Sequence, residues 1–489
     1  MVFSSPLFLF VFLPLVLGLH LLAPRPLRNA VLLLASLLFY AWGETDYVAV
    51  MLVSILANYL FALWIERDRR ASRGRTAVAC AIVFNLALLS YFKYAVWACE
   101  NVAALCRGIG LSTAWLGRVP DIHLPLGISF YTFHAMSAVI DVHRGDARAG
   151  RNPLDFALYI ACFPQLVAGP IIRYHDVADQ IRERTVTFSG FAYGVRRFIV
   201  GLAKKALLAN TIAPMVDESF AVHPGELSCA AAWMAMVGWG FQVYYDFSGY
   251  SDMAIGLGRI FGFRYRENFD HPFVSKSITE YWRRWHISLT TWFRDYVYIP
   301  MGGNRRGAAR TYFNLVVVFV LVGLWHGAAW FYIVFGLYHG SLMILERLSF
   351  GRWLARTPAI LQHAYFWFVL NLGWTIFRGE SLTYTRQVLP VMFDPFPSVE
   401  PRYHADLFLD NARVLALVAG VVCSLPWIEW ADRWRARSAA RGLALPRAPS
   451  RGLATGLELA STAALVLVFL ASVLFVSAGT YNPFIYFRF

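Results

Sequence analysis

Charge is what this chain has least of. Only 15% of its 489 residues are Asp, Glu, Lys or Arg, against about 25% in a soluble domain. Hydrophobic residues make up 58% and mean hydropathy is +0.50, which excludes a water-solvated globule and implies that most of the surface faces lipid. Paired cysteines are missing too. The six present, Cys80, Cys99, Cys106, Cys162, Cys229 and Cys423, show no CxxC spacing, so neither a zinc site nor a disulfide framework is expected. There is no Gly-rich phosphate loop, no nucleophile elbow and no HExxH. No Lys or Arg precedes Arg25. Without that basic flank the apolar stretch from Val2 to Leu22 reads as a retained span and not as a secretory signal.

Where charge does occur it is basic, and the net value is +14. The cations lie in short runs between apolar segments, a pattern of cytoplasmic loops at an anionic membrane surface. No nucleic-acid recognition fold is legible, and nucleic acid is not an expected partner. Arg67, Arg69, Arg70, Arg73 and Arg75 fill one loop; Arg144, Arg148 and Arg151 fill another; Arg433 to Arg451 mark a third. Residues 379–410, by contrast, hold five carboxylates against two arginines. The positive-inside rule therefore places the arginine-rich loops in the cytoplasm, and both the N-terminus and the Tyr481-Asn482-Pro483-Phe484 tail outside.

Apolar runs predict spans near residues 3–22, 29–43, 46–64, 77–98, 124–142 and 154–172. Further spans are expected near 228–262 and 311–345, each as a pair, and near 359–377, 411–429 and 456–477. Residues 188–219 read differently. Arg196, Arg197, Lys204 and Lys205 recur at helical spacing, as in a helix lying in the interface with snorkelling cations; an ordinary span with a basic end is the alternative. Residues 264–310 carry eight arginines and one lysine among Trp and Tyr, which suggests short helices dipping into the cytoplasmic face. Residues 436–451, rich in Ala, Arg and Pro, are the one linker-like stretch. No internal repeat is visible, so residues 1–489 read as a single all-α, polytopic transmembrane bundle.

Two histidines stand out. His326, between Trp325 and Gly327, lies fifteen residues into the span that begins near Thr311, which lifts it roughly 22 Å along a helix axis. An ionisable group at membrane depth is a functional-site hypothesis by default, and histidine suits proton transfer near neutral pH. A structural histidine bonded to a carbonyl is the plain alternative. His286 sits forty residues upstream in Tyr281-Trp282-Arg283-Arg284-Trp285-His286. Arg283, Arg284 and Arg294 have the planar fork that suits phosphate, or could equally meet lipid headgroups. Asp246 and Asp252 lie six residues apart in an apolar run, and a structural ion pair is the favoured reading of them over orienting a histidine or binding a cation.

At these residues the chain resembles the membrane-bound O-acyltransferase superfamily, in its alginate O-acetyltransferase branch. The resemblance rests on Phe163-Pro164-Gln165-Leu166-Val167-Ala168-Gly169-Pro170, Tyr245-Asp246-Phe247-Ser248-Gly249-Tyr250-Ser251-Asp252 and Tyr281-Trp282-Arg283-Arg284-Trp285-His286. It continues through Tyr298-Ile299-Pro300-Met301-Gly302-Gly303-Asn304, Leu324-Trp325-His326-Gly327 and Phe484-Ile485-Tyr486-Phe487. It implies a ring of helices around a thin, funnel-shaped catalytic centre in a bacterial inner membrane. It implies His326 as catalytic base, His286 as a second signature and catalytic residue that could steady the oxyanion or the leaving thiolate, and acetyl-CoA or another acyl thioester as donor, with no bound cofactor and no metal. A polysaccharide as final acceptor and a periplasmic SGNH-type acetyltransferase as partner follow from the same likeness. Trp285, Arg283, Arg284, Arg294, Trp325 and Asp246 are then candidates for donor binding or support. The rival reading is a proton-coupled transporter or flippase using His326 and Asp246 as a relay. His286 and His326 are expected on one tunnel, within about two side-chain lengths.

Overall fold

The computed structural model describes residues 1–116, 122–167, 169–440 and 451–479. The tail from Tyr481, the Phe484–Phe487 motif, Ala168 and most of the 436–451 stretch lie outside the described residues. Among the described residues every regular element is helical, apart from one isolated bridge between Leu227 and Tyr403.

In chain order the first five long elements are α1 Leu13–Leu22, α2 Arg28–Ala41, α3 Val48–Asp68, α4 Ser72–Gly108 and α5 Ile128–Arg144. Short helices α6 Pro153–Ala161, α7 Phe163–Leu166 and α8 Tyr174–Glu183 follow. Then α9 Phe188–Ala203 runs through a π turn, Lys204–Ala209, straight into α10 Asn210–Ala221, and α11 covers Cys229–Ile260. The basic aromatic segment forms α12 Ile278–Arg284, α13 Ile287–Phe293 and a π turn Arg294–Tyr298. After it come α14 Ala308–His326, α15 Trp330–Arg347, α16 Ser349–Leu354, α17 Ala359–Arg378, α18 Leu382–Met392, α19 Asn411–Cys423, α20 Trp427–Ala440 and α21 Arg451–Ser477. Among the described residues six helical stretches are long and apolar enough to cross a membrane: Val48–Asp68, Ser72–Gly108, Phe188–Ala221, Ala308–His326, Asn411–Ser438 and Thr455–Ser477. The chain is a multi-pass membrane protein.

α11 is the axis. Nearly every residue from Ala231 to Ile260 is buried, as expected of a helix with neighbours on all sides. The peripheral helices turn apolar side chains outward instead: Leu52 and Leu56 on α3, Val83 and Leu86 on α4, Leu415 and Val418 on α19, Leu467 and Leu474 on α21. The basic loops gather on one face. A Cβ at Gly145 would meet the Arg69 guanidinium at 2.7 Å, and Arg144 donates to the Asp295 carbonyl at 2.9 Å. One face thus carries the loops around residues 69 and 145 together with the 264–310 segment.

Three expectations need correction. Residues 228–262 form one 32-residue helix and not a pair. Its glycines mark a crossing instead of a turn. A Cβ on Gly201 would lie 2.5 Å from the Gly249 carbonyl oxygen, and one on Gly194 2.6 Å from that of Gly256. Small residues let α9 and α11 approach backbone to backbone. Among the described residues of 154–172 the only helices are α6 and α7, since Pro164 and Pro170 interrupt any continuous span. Lastly, residues 188–219 do not lie free in the interface. The helix packs along α11, and Lys204 and Lys205 point inward to carboxylates: Lys204 lies 2.7 Å from Asp252 and Lys205 2.6 Å from Asp246. The π turn presents both lysines to the same neighbour.

Candidate active site

α14 ends at His326 because Gly327 is fully extended, with φ −176° and ψ 162°. From Ala308 the helix rises roughly 27 Å, close to the thickness of a hydrocarbon core, about 30 Å, so His326 stands at the far end of the span from its Arg-rich start. α15 holds this end from one side, where a Cβ on Gly323 would collide with the Tyr332 carbonyl. The His326 ring is set among Trp325, Tyr332, Phe335 and Phe377, with centroid separations of 5.0, 6.3, 6.2 and 5.2 Å.

His326 lines a small central cavity of about 40 Å³, walled by Trp239, Val243, Phe247, Tyr281, Trp282, Trp285, Phe335, Trp374 and Phe377. Larger cavities flank it. An outer vestibule of about 720 Å³ is lined by Lys93, Leu124, Gly327, Ala328, Tyr332, Arg378 and Glu380, and shares Trp239 and Phe377 with the central cavity. An inner mouth of about 810 Å³ lies between α20 and the segment from Phe273 to Arg284. Its wall includes Lys276, Arg284, Arg433, Arg437, Trp367, Trp430 and Trp434. Between mouth and centre stands a single aromatic layer, with Phe273 and Trp367 at 5.9 and 6.5 Å from Trp374. The narrow cavity holding His326 thus shares two wall residues with the vestibule and meets the mouth across aromatic contacts.

The residues anticipated from sequence separate into groups. His326 and Trp285 face the central cavity, and Arg284 faces the inner mouth while paired with Asp270 at 2.9 Å and Glu280 at 3.1 Å. His286 lines neither the central cavity nor the two larger ones. It is 1% exposed, and its ring packs on Phe247 at 4.6 Å and on Trp325 at 5.5 Å. His286 is therefore one indole away from His326, with Trp325 packed between the two rings. The α12–α13 segment dips far enough into the bundle to offset the helical rise of His326. Arg283 is exposed. Arg294 is 58% exposed and pairs with Asp295 at 2.7 Å. Asp246, held by Lys205 and 1% exposed, belongs to the α9–α11 contact and lines no cavity wall named above.

Sequence reasoning missed Lys93. It lies inside the apolar run of α4, where a lone lysine at membrane depth was the available signal. The basic residues of α20 were read only as topology markers, yet Arg433 and Arg437 line the inner mouth. Asp141, Asp146 and His175 have ligand atoms close enough to share an ion. The Asp141 oxygens, however, already accept from His175 Nδ1 at 2.9 Å and from the Tyr296 hydroxyl at 2.6 Å.

Known proteins resemble this chain throughout its length. The family model described as MBOAT, membrane-bound O-acyltransferase family, matches residues 146–383. A probable alginate O-acetylase AlgI of Azotobacter vinelandii is 39% identical, with all of both chains covered. That of Pseudomonas putida is 41% identical with the same coverage. A peptidoglycan O-acetyltransferase of Helicobacter pylori is 33% identical over 80% of each chain. With a histidine on the wall of a narrow aromatic cavity and relatives matching end to end, the chain belongs to the membrane-bound O-acyltransferase family.

Proposed function

We propose that the protein moves an acetyl group from a cytoplasmic acyl thioester, acetyl-CoA or a related donor, to a hydroxyl destined for an exported polysaccharide such as alginate. The observation that carries this reading is the position of His326, on the wall of the narrow cavity between inner mouth and outer vestibule. Residues 1–489 act as one catalytic unit in the bacterial inner membrane, and a periplasmic SGNH-type acetyltransferase completes the delivery.

The acceptor hydroxyl gives its proton to His326 as its oxygen attacks the thioester carbonyl carbon. The tetrahedral oxyanion collapses, the carbon–sulfur bond breaks, and the leaving thiolate takes the proton from the imidazolium. The water-poor aromatic wall strengthens every electrostatic contact to the developing charge. Lys276, Arg284, Arg433 and Arg437 offer cations for donor phosphates at the inner mouth, and Trp367, Trp430 and Trp434 offer faces for a base. The rival proton relay through Asp246 loses its acid, because that carboxylate is engaged by Lys205.

The test is O-acetyl content of exported polymer in cells carrying His326→Ala. Export of unacetylated polymer is expected. Normal acetylation in that strain, or acetylation intact with export lost, would discard the proposal.

A further inference from the structure

α14 must stop at His326, and stopping leaves carbonyls without helical partners. In a membrane interior each orphan is costly. α4 supplies the missing donors. The Tyr94 hydroxyl donates to the Leu324 carbonyl at 2.7 Å, and the Lys93 ammonium donates to the carbonyl of Trp325, the residue just before His326. Lys93 also reaches Ser129 Oγ on α5 at 3.3 Å and lies over the Trp325 ring at 5.9 Å. One ammonium thus joins α4, α5 and the end of α14. The two helices bring these groups to similar depth: from Ser72 the rise to Lys93 is roughly 32 Å, against roughly 27 Å from Ala308 to His326.

A cation at the C-terminal end of a helix is also favoured by the helix dipole. Lysine carries three N–H donors. Two are used on Ser129 and Trp325, and the group lines the outer vestibule beside Gly327 and Ala328. An uncharged residue here would leave the Trp325 carbonyl unpaired and the last turn of α14 free to unwind toward the vestibule. His326 would then swing away from the cavity.

We infer that Lys93 is a positioning residue for acyl transfer, fixing His326 by clamping the final carbonyls of α14 together with Tyr94. This rests on the reading of His326 as the base. A side chain that only aligns the base affects turnover far more than donor affinity, because the donor contacts lie at the inner mouth.

The experiment uses membrane vesicles from polymer-producing cells, with radiolabelled acetyl-CoA as the donor probe and acetyl transfer to the endogenous acceptor as readout. Lys93→Met keeps the stem and removes the donor; Lys93→Arg keeps a charged donor. Lys93→Met is expected to lower kcat by roughly 10- to 100-fold, the cost of a misplaced catalytic group, with the KM for acetyl-CoA within about twofold. Lys93→Arg should recover most of that loss. Wild-type kcat in Lys93→Met, a defect confined to KM, or an arginine variant no better than the methionine one would each overturn the inference. If Lys93→Met fails to accumulate in the membrane, Tyr94→Phe decides: a several-fold lower kcat is expected, and an unchanged kcat overturns the clamp. His326→Ala is assayed alongside. Full transfer by that variant defeats the proposed function itself, whereas a dead His326→Ala beside an unaffected Lys93→Met defeats only the role of Lys93.

Discussion

The imidazole of His286 and the indole of Trp325 lie 5.5 Å apart between ring centroids, their planes inclined by 58°. Since Trp325 is also 5.0 Å from His326, the indole is the shared wall of the two signature histidines. His286 has φ +44°, an uncommon conformation for a residue with a Cβ. It is held there by Ile287 N donating to the Asn268 carbonyl at 2.9 Å and Ser288 N to Asn268 Oδ1 at 3.2 Å.

From that relationship comes the first prediction. Asparagine tolerates the left-handed region and keeps a planar polar group against Trp325. His286→Asn should accumulate normally and keep O-acetylation within about an order of magnitude of wild type. His286→Ala opens a gap among packed rings and should lose about 2–4 kcal/mol of stability, seen as a lower melting temperature in lipid nanodiscs. An asparagine variant that folds and melts normally but is as inactive as His326→Ala would place His286 at the reacting atoms.

The central cavity predicts acyl size. Its volume of about 40 Å³ is room for about three water-sized atoms, matching the methyl, carbon and oxygen of an acetyl group. Val243 on α11 forms part of the wall. Val243→Ala should raise the turnover ratio of propionyl-CoA to acetyl-CoA by about tenfold, the usual worth of one methylene of fit. Val243→Phe should fill the space and suppress both. Equal ratios in wild type and Val243→Ala would mean that selection occurs elsewhere.

How much was legible beforehand follows from the physics of each element. α14 and α15 were readable because a long apolar run with His326 inside it has few other uses. The short Trp–Arg helices before them announced themselves by cations among aromatics. α11 was misread as two spans, because a glycine looks identical in sequence whether it breaks a helix or lets another backbone approach. Gly249 facing Gly201 is the second case. The α9–α10 helix was misplaced for a related reason: Lys204 and Lys205 reveal their inward direction only once Asp252 and Asp246 are opposite them. Lys93 was passed over inside an apolar run, its partners lying on α5 and α14, far away in sequence.

The Lys205–Asp246 pair is buried on both sides, with side chains 3% and 2% exposed. Removing one partner strands the other charge, which typically costs about 3–5 kcal/mol. Lys205→Met and Asp246→Asn should each cut the amount of folded protein in the membrane. The double variant Lys205→Met with Asp246→Leu should recover much of it, because an apolar pair replaces an ion pair at little net cost. Acetylation per folded molecule should stay near wild type in the double variant. Lost transfer in a well-folded double variant would return Asp246 to the mechanism.

The last prediction concerns pH at the arginine-rich face. His175 sits outside the spanning helices, on α8, with its Nδ1 2.9 Å from the fully buried Asp141 carboxylate. That hydrogen bond is the largest influence on the ring and raises its pKa above the ordinary value of 6.5, helped by the charges of Asp141 and Asp176 and opposed by burial and by Arg173. The Tyr296 hydroxyl, from the turn packed against α5, holds the other Asp141 oxygen at 2.6 Å. A histidine that binds its proton more tightly when folded contributes stability that is complete below the unfolded value, about 6.5. That contribution is lost as pH rises through the higher folded value. Wild-type protein in nanodiscs should therefore show a falling melting temperature from pH 6 upward through the neutral range, with the decline ending once His175 is neutral. His175→Asn removes the titrating group and should flatten this part of the profile, leaving the rest of the pH dependence in place. If the variant keeps the same slope between about pH 6 and 8, the dependence arises from another group, and the His175–Asp141 contact contributes no proton-linked stability.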